Sequence, residues 1–340
     1  MYWKKIITCI AFLTLLIGVT ACSRKTAEGT GDITDTEKGG NEASVNVSGD
    51  MTNQSKEISK TASFTLDSIV KEVIETPVFE DFGRLLFPVD RSVSESATLS
   101  EVSSSNVYIW YSNIKPEKTV EIINHLKERA EAGHQIYFPI YSEEEIAADQ
   151  SKGDTGLFYF GGEPGKKFAI MNAGGGFMYV GAMHDSFPHA LEVSKMGYHT
   201  FALIYRPGEA YEDLARGITY LYDHAEELGM DASGYSLWGG SAGARMAAVL
   251  GNKDYLRELT GRSDLPQAAA VMMQYTGYTD VSAADAPTYA CVGTNDGIAP
   301  WNTMKTRLEK LEGMGIPTEF HSYQGLSHGF GLGTDTVAEG

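Results

Sequence analysis

Beyond residue 105 the chain alternates between short apolar runs and helical patterns. Apolar, β-branched and aromatic residues concentrate at 107–111, 134–141, 156–160, 168–172, 198–205, 235–238, 268–275, 287–292 and 318–323, each predicted as a strand. Helical spacing falls between them. At 116–132, Val120, Ile123, Leu126 and Ala130 share a face, Pro116 suits the first turn and Gly133 the stop. At 210–228, Leu214, Ile218, Leu221, Tyr222, Ala225 and Leu228 line one side, with Gly229 after them. Further helices are predicted at 184–196, 242–250 and 300–311. Strands alternating with helices imply an α/β fold with a mostly parallel sheet and helices on both faces. Over 64–105 the pattern is weak, with frequent Ser and Thr and breaks at Pro77 and Pro88. Irregular structure or edge strands packed on the body are expected there.

Upstream the pattern changes kind. Lys4 and Lys5 precede a mostly apolar run over 6–19, too short for a comfortable membrane span, which ends in Val19-Thr20-Ala21-Cys22. This arrangement resembles the signal and lipobox of bacterial lipoproteins. The resemblance implies a signal peptide over 1–21, cleavage before Cys22, and lipid on that cysteine as the link to a membrane outside the cytoplasm. Residues 23–63 hold no aromatic residue and are rich in Gly, Ser, Thr, Asn, Glu and Lys. With so little apolar surface to offset ordering entropy, 22–63 reads as a flexible tether and 64–340 as the folded domain.

Composition narrows the function. The chain has 340 residues, 42% of them hydrophobic, enough for a sizeable core, and a formal net charge of −18. No basic stripe is available to track phosphates, which argues against nucleic acid as a partner. With Cys9 and Cys22 in the N-terminal segment, Cys291 stands alone in the body, so no disulfide framework exists, and an inert buried thiol is expected there.

The chemistry gathers where predicted strands end. Gly239, Ser241 and Gly243 form G-x-S-x-G between a strand and a helix, the setting of a nucleophile elbow. A serine hydroxyl needs a base, an orienter for that base, and donors for the oxyanion. Asp296 follows one strand and His328 the last, giving the order Ser, Asp, His. Asp280 and Asp285 are alternative acids, but both precede a strand. His125, His134, His199 and His224 lie on predicted elements away from the site, and His321 lies inside a strand. His184 and His189 fall on different helix faces and make no metal pair; His184-Asp185 reads as a helix start near the pocket rim. Gly174-Gly175-Gly176 lies between a strand and a helix, where a second oxyanion donor belongs, so the expected donors are the amides of Ala242 and of Gly175 or Gly176. No G-x-G-x-x-G can be written there, so a dinucleotide is not expected, and neither metal nor organic cofactor is required. Phe177, Tyr179 and Trp301 are candidate pocket aromatics, although such spacings more often belong to a core.

Together these residues resemble the α/β-hydrolase superfamily over about 106–335, close to bacterial esterases with an HGGG-type oxyanion loop. Ala173-Gly174-Gly175-Gly176-Phe177 resembles that loop, with alanine in place of histidine. Tyr205-Arg206 resembles the Tyr-Arg that follows the next strand in these esterases, and Asp213 matches an aspartate expected to pair with Arg206. The resemblance implies carboxylester hydrolysis through an acyl-serine, commonly on small acyl groups such as acetyl, with a small-molecule or saccharide ester as substrate. A serine peptidase or acyltransferase on the same triad, or a non-catalytic lipoprotein binding module, are the alternatives. Relatives usually continue from the base into a closing helix. Here 12 residues follow His328, so a sheet edge or helix face is expected to be poorly covered.

Overall fold

The computed structural model describes residues 62–339. The predicted signal, Cys22 and nearly all of the tether lie outside the described residues. Eight strands form one sheet: β1 (Tyr137–Pro139), β2 (Gly156–Gly161), β3 (Lys167–Asn172), β4 (His199–Ile204), β5 (Asp231–Gly240), β6 (Ala270–Gln274), β7 (Thr288–Gly293) and β8 (Thr318–Tyr323). Their order is β1-β2-β4-β3-β5-β6-β7-β8. The β1–β2 and β2–β4 pairs are antiparallel, and every pair from β4 to β8 is parallel. The helices are α1 (Val70–Ile74), α2 (Leu99–Ser103), α3 (Pro116–Glu131), α4 (Glu143–Ala148), α5 (Ser186–Lys195), α6 (Ala210–Asp223), α7 (Ala242–Gly251), α8 (Lys253–Thr260) and α9 (Trp301–Gly313).

Strand register shows which face each helix covers. On α5, Phe187 packs against Phe158 and Phe160, with ring centroids 5.1 and 5.4 Å apart. On α6, Gly217 lies against Leu157 and its β4 partner Leu203; Leu157 points the other way from Phe158 and Phe160 on the same strand, β2. Helices therefore do cover both faces, but unevenly. Leu237, Val271, Met273, Ala290 and Val292 point to the side of α7 and α9 and are fully buried. Their strand neighbours on the α5 side, Trp238, Met272 and Tyr289, are only half-buried and lie side by side in register. The incompletely covered surface thus includes a sheet face over β5 to β7, together with the β8 edge, where no strand residue is buried.

Two sequence expectations change. Residues 64–105 form no strand: they fold into α1, a 3-10 run over Pro77–Leu86, and α2, with a single antiparallel bridge between Ile69 and Thr98. Phe79, Leu85, Leu86, Phe87 and Leu99 from this stretch belong to the main core. Residues 107–111 are a 3-10 turn, Asn106–Tyr108, followed by ordinary turn. Their aromatic content reads as strand, but these rings pack onto loops of the site instead of extending a ladder. Two short helices, α4 and α8, went unread. Each begins at a side-chain cap, Ser142 in a capping box and Asn252, that lies inside a polar stretch without a long apolar period.

Candidate active site

The β5–α7 junction has the geometry of an elbow. Ser241 sits at φ 53°, ψ −114°, a conformation rare for a residue with a Cβ, and its amide donates to the Gln274 carbonyl at 2.9 Å. Both flanking glycines are required by close packing. A Cβ at Gly239 would strike the backbone of Gly243, and one at Gly243 would strike the Asn172 carbonyl at the end of β3. Because α7 begins at Ala242, that residue's amide is a first-turn N–H without an intrahelical acceptor.

His328 and Asp296 come to this serine from the loops after β8 and β7. His328 Nε2 lies 3.0 Å from Ser241 Oγ, and its Nδ1 lies 2.8 Å from Asp296 Oδ2. The other Asp296 oxygen accepts the amides of Ile298 and Ala299, each at 2.8 Å, which hold the carboxylate in place. With Nδ1–H donating to that carboxylate, the Nε2 lone pair faces the serine hydroxyl. Acid and base are both buried. Asp285 is engaged elsewhere, with Arg307 and Asn252. Asp280 offers its carbonyl to the same arginine.

The glycine loop after β3 meets the elbow from the opposite side. A Cβ on Gly174 would come within 3.0 Å of Ser241 Cβ. Gly175 (φ 132°) and Gly176 (φ 62°) adopt backbone conformations that favour glycine. The loop is held by its carbonyls: Ala173 accepts from the Tyr205 hydroxyl at 2.7 Å, Gly174 from Gly181 N–H at 2.9 Å, and Gly175 from Met178 N–H at 2.9 Å. Gly174 N–H donates to Asp185 Oδ2 at 2.7 Å. Among the described residues no acceptor takes the amides of Gly175 and Gly176, which remain as donors beside the serine.

Four residues of this site escaped the sequence reading. Asp185 immediately precedes α5, as the predicted helix start implied. Its carboxylate caps no α5 amide but is buried behind the elbow, accepting from Gly174 N–H, from Tyr111 Oη at 3.1 Å and from Tyr275 Oη at 3.2 Å. Burial pushes its pKa up from the usual carboxylate value, while the nearby His189 and these three donors pull it back. Tyr111 and Tyr275 are held well above the ordinary phenol value, by burial first and by Asp185 next, so both remain protonated donors. Tyr275 also packs its ring edge-on to His328, at 5.1 Å. Trp110 lies over Gly176 and stacks on Tyr179 at 5.5 Å. The same turn crosses the base loop: Ser112 N–H donates to Gly329 O at 3.0 Å, and a Cβ on Gly329 would strike the Trp110 carbonyl. The only local clue in sequence was the excess of aromatics at 107–111.

The remaining candidates fall away from the chemistry. Arg206 and Asp213 pair as expected, with Nη2 2.6 Å from Oδ1, and Tyr141 donates to the same carboxylate. His184 is buried against Tyr108 and held neutral, its pKa lowered to about 3 by burial. His189 Nδ1 bonds the Asp185 carbonyl. Burial raises the Cys291 thiol to about 12. Tyr179 is core, Phe177 is half-buried against Tyr211, and Trp301 is exposed at the start of α9. Among the described residues no cluster of His, Cys, Asp and Glu could hold a metal, and no helix is long and apolar enough to cross a membrane.

The fold is that of an α/β-hydrolase. It is shared with an esterase of Thermogutta terrifontis solved with propionate bound, at 19% identity and TM-score 0.50, over 59% of this chain and 88% of that one. An acetyl ester-xyloside bifunctional hydrolase of Caldicellulosiruptor lactoaceticus aligns at 18% identity and TM-score 0.49, over 59% and 90% of the two chains. The carboxylesterase Cest-2923 of Lactobacillus plantarum aligns at 18% identity and TM-score 0.48, over 55% and 83%. A family model described as BD-FAE matches residues 163–290, a stretch that contains the glycine loop and the elbow but ends before Asp296 and His328. No curated protein matches the chain.

Proposed function

We propose that this protein is a serine carboxylester hydrolase that works through an acyl-serine and favours small acyl groups such as acetyl, on small-molecule or saccharide esters. The observation that carries the reading is the unbroken chain from Ser241 Oγ to His328 Nε2, at 3.0 Å, and from His328 Nδ1 to Asp296 Oδ2, at 2.8 Å. His328 takes the serine proton as Oγ attacks the ester carbonyl, then returns it to the leaving alcohol. Asp296 fixes the imidazole and stabilises its charged form. The amides of Gly175, Gly176 and Ala242 receive the oxyanion. Water, activated by the same histidine, releases the acid. The propionate reported for the Thermogutta esterase supports the preference for a short acyl chain. The lipobox-like run before Cys22 supports a lipid-anchored location outside the cytoplasm, facing a bacterial membrane.

The test is a fluorophosphonate probe with p-nitrophenyl esters of rising acyl length. Ser241 should be the labelled residue, and turnover should fall as the chain lengthens beyond a few carbons. Absence of labelling, or equal labelling of Ser241→Ala, overturns the reading. Incorporation of labelled palmitate into the full chain, lost in Cys22→Ala, checks the anchor.

A further inference from the structure

The most unusual group near the site is a carboxylate that the ester mechanism does not use. Asp185 is 1% exposed, and three donors from three separate parts of the chain converge on it: Gly174 N–H, Tyr111 Oη and Tyr275 Oη. It lies in the seam between the two backbones that must be aligned for catalysis. A Cβ on Gly174 would come within 3.0 Å of its Oδ2, and one on Gly240, the residue before the nucleophile, within 2.5 Å of its Oδ1. Each hydroxyl partner also reaches the base or the loop that carries it. Tyr275 follows the Gln274 carbonyl that accepts from Ser241 N–H, stands at φ 38°, and packs on the His328 ring. Tyr111 belongs to the turn that crosses Gly329.

We propose that Asp185 is the positioning residue of the oxyanion hole: its carboxylate fixes the Gly174 amide and thereby holds the Gly175 and Gly176 donors at the distance that Ser241 requires. The assignment rests on the esterase reading above. By committing Gly174 N–H, Asp185 fixes the Ala173–Gly174 peptide plane, and the Gly174 carbonyl, held by Gly181 N–H, fixes the plane that leads into Gly175, so the next amides face the nucleophile. This role falls to Asp185 in a loop that begins with Ala173, where a histidine side chain is absent. Tyr111 and Tyr275 hold the carboxylate, and through them the oxyanion loop, the elbow and the base loop share one buried anchor. The charged and titratable groups facing it are His189 on α5, Tyr111 from the 106–112 turn, Tyr275 after β6, and Tyr179 and Tyr205.

Asp185→Asn tests the assignment, because the amide keeps the shape and one acceptor while losing the charge and presenting a donor to the tyrosines. Loss of one oxyanion donor typically costs about 10²–10³ in kcat. A loop that is displaced but retained should cost about tenfold or more in kcat for p-nitrophenyl acetate, with KM little changed. The diagnostic readout is the matched thionoester, whose sulfur makes little use of the oxyanion hole. Its turnover should fall much less, so the ratio of ester to thionoester turnover collapses. A merely structural role lowers both substrates equally, and that outcome overturns the proposal, as does an unchanged ratio. Hydrogen exchange over residues 173–180 supplies a readout independent of turnover. The amides there should exchange faster in Asp185→Asn while those of β5 and α7 do not, and equal exchange overturns the proposal. If the wild-type protein hydrolyses no ester, the esterase reading fails, and the exchange result still decides the positioning role. Should Asp185→Asn not fold, Tyr275→Phe removes one donor and leaves the carboxylate in place. It should shift the same ratio in the same direction by a smaller factor, and an unshifted ratio counts against the proposal.

Discussion

The two halves of this site are built by different rules. The half that attacks consists of three loops, each immediately after a parallel strand: Ser241 after β5, Asp296 after β7 and His328 after β8. Sites in open parallel sheets gather outside the carboxyl ends of the strands, so each member sits where its strand delivers it. The half that receives the oxyanion is different. Two of its donors, Gly175 and Gly176, also follow a strand, β3, but they are held by Asp185, Tyr111, Trp110, Tyr205 and Tyr275, drawn from four separate places in the chain. One half depends on local strand–loop geometry and the other on long-range packing. Substitutions in the two halves should therefore fail in different ways.

The largest effects belong to the attacking half. Ser241→Ala should lower kcat by about 10⁶-fold, the scale of a lost triad nucleophile, with KM and melting temperature nearly unchanged. Asp296→Asn should lower kcat by about 10⁴-fold, because an amide cannot hold Nδ1–H of His328 in the tautomer that points a lone pair at Ser241. Fluorophosphonate labelling should be abolished in the first variant and only slowed in the second. Equal labelling rates for Asp296→Asn and wild type would remove Asp296 from its role and return Asp285, now paired with Arg307, to consideration.

The next effect probes the receiving half. Gly175→Ala should lower kcat by about 10²–10³-fold, the cost of a misplaced donor. Gly175 has φ 132°, and its added methyl group would strike the Tyr179 carbonyl, so the whole turn must move. Here the melting temperature should fall as well, since overpacking of this kind costs about 1–3 kcal/mol. A catalytic loss without a thermal one would mean that the loop is soft, and the contrast between the two halves would disappear.

What could be read from the sequence follows the same division. The ends of β3, β5, β7 and β8 were legible within about two residues, because buried parallel strands are continuous apolar runs bounded by Gly, Pro and Asp. Ser241, Asp296, His328 and the glycine run follow from those ends. Asp185 was not legible as a partner of Gly174. An aspartate before a helix is an ordinary N-cap pattern, and only the folded chain shows that its side chain turns away from α5. Tyr111 and Trp110 were misread as strand for a related reason: aromatic content records burial, and burial against a loop has the same composition as burial in a sheet. Residues 64–105 hid their contribution to the core because their helices are too short to display a period.

The finest test compares two tryptophans, one packed on the oxyanion loop and one exposed away from it. Trp110 is half-buried over Gly176 and Tyr179 and belongs to the turn that crosses the base loop, whereas Trp301, 39% exposed, only begins the helix after the acid loop. If long-range packing holds the receiving half in place, Trp110→Ala should reduce kcat several-fold and lower stability by about 1–3 kcal/mol, the scale of an aromatic side chain losing partial burial. In a domain of this size that corresponds to a fall in melting temperature of about 2–4 °C per kcal/mol. Trp301→Ala, on the attacking side, should change stability by no more than about 0.5 kcal/mol, as surface substitutions usually do, and kcat by less than about twofold. The comparison is informative because both residues have the same side chain, one on the turn packed against the oxyanion loop and the other at the start of α9. Equal losses in the two variants would mean that packing of Trp110 on the oxyanion loop has no particular effect on the site. A loss confined to Trp110→Ala would place the 106–112 turn among the supports of the oxyanion loop, together with Asp185.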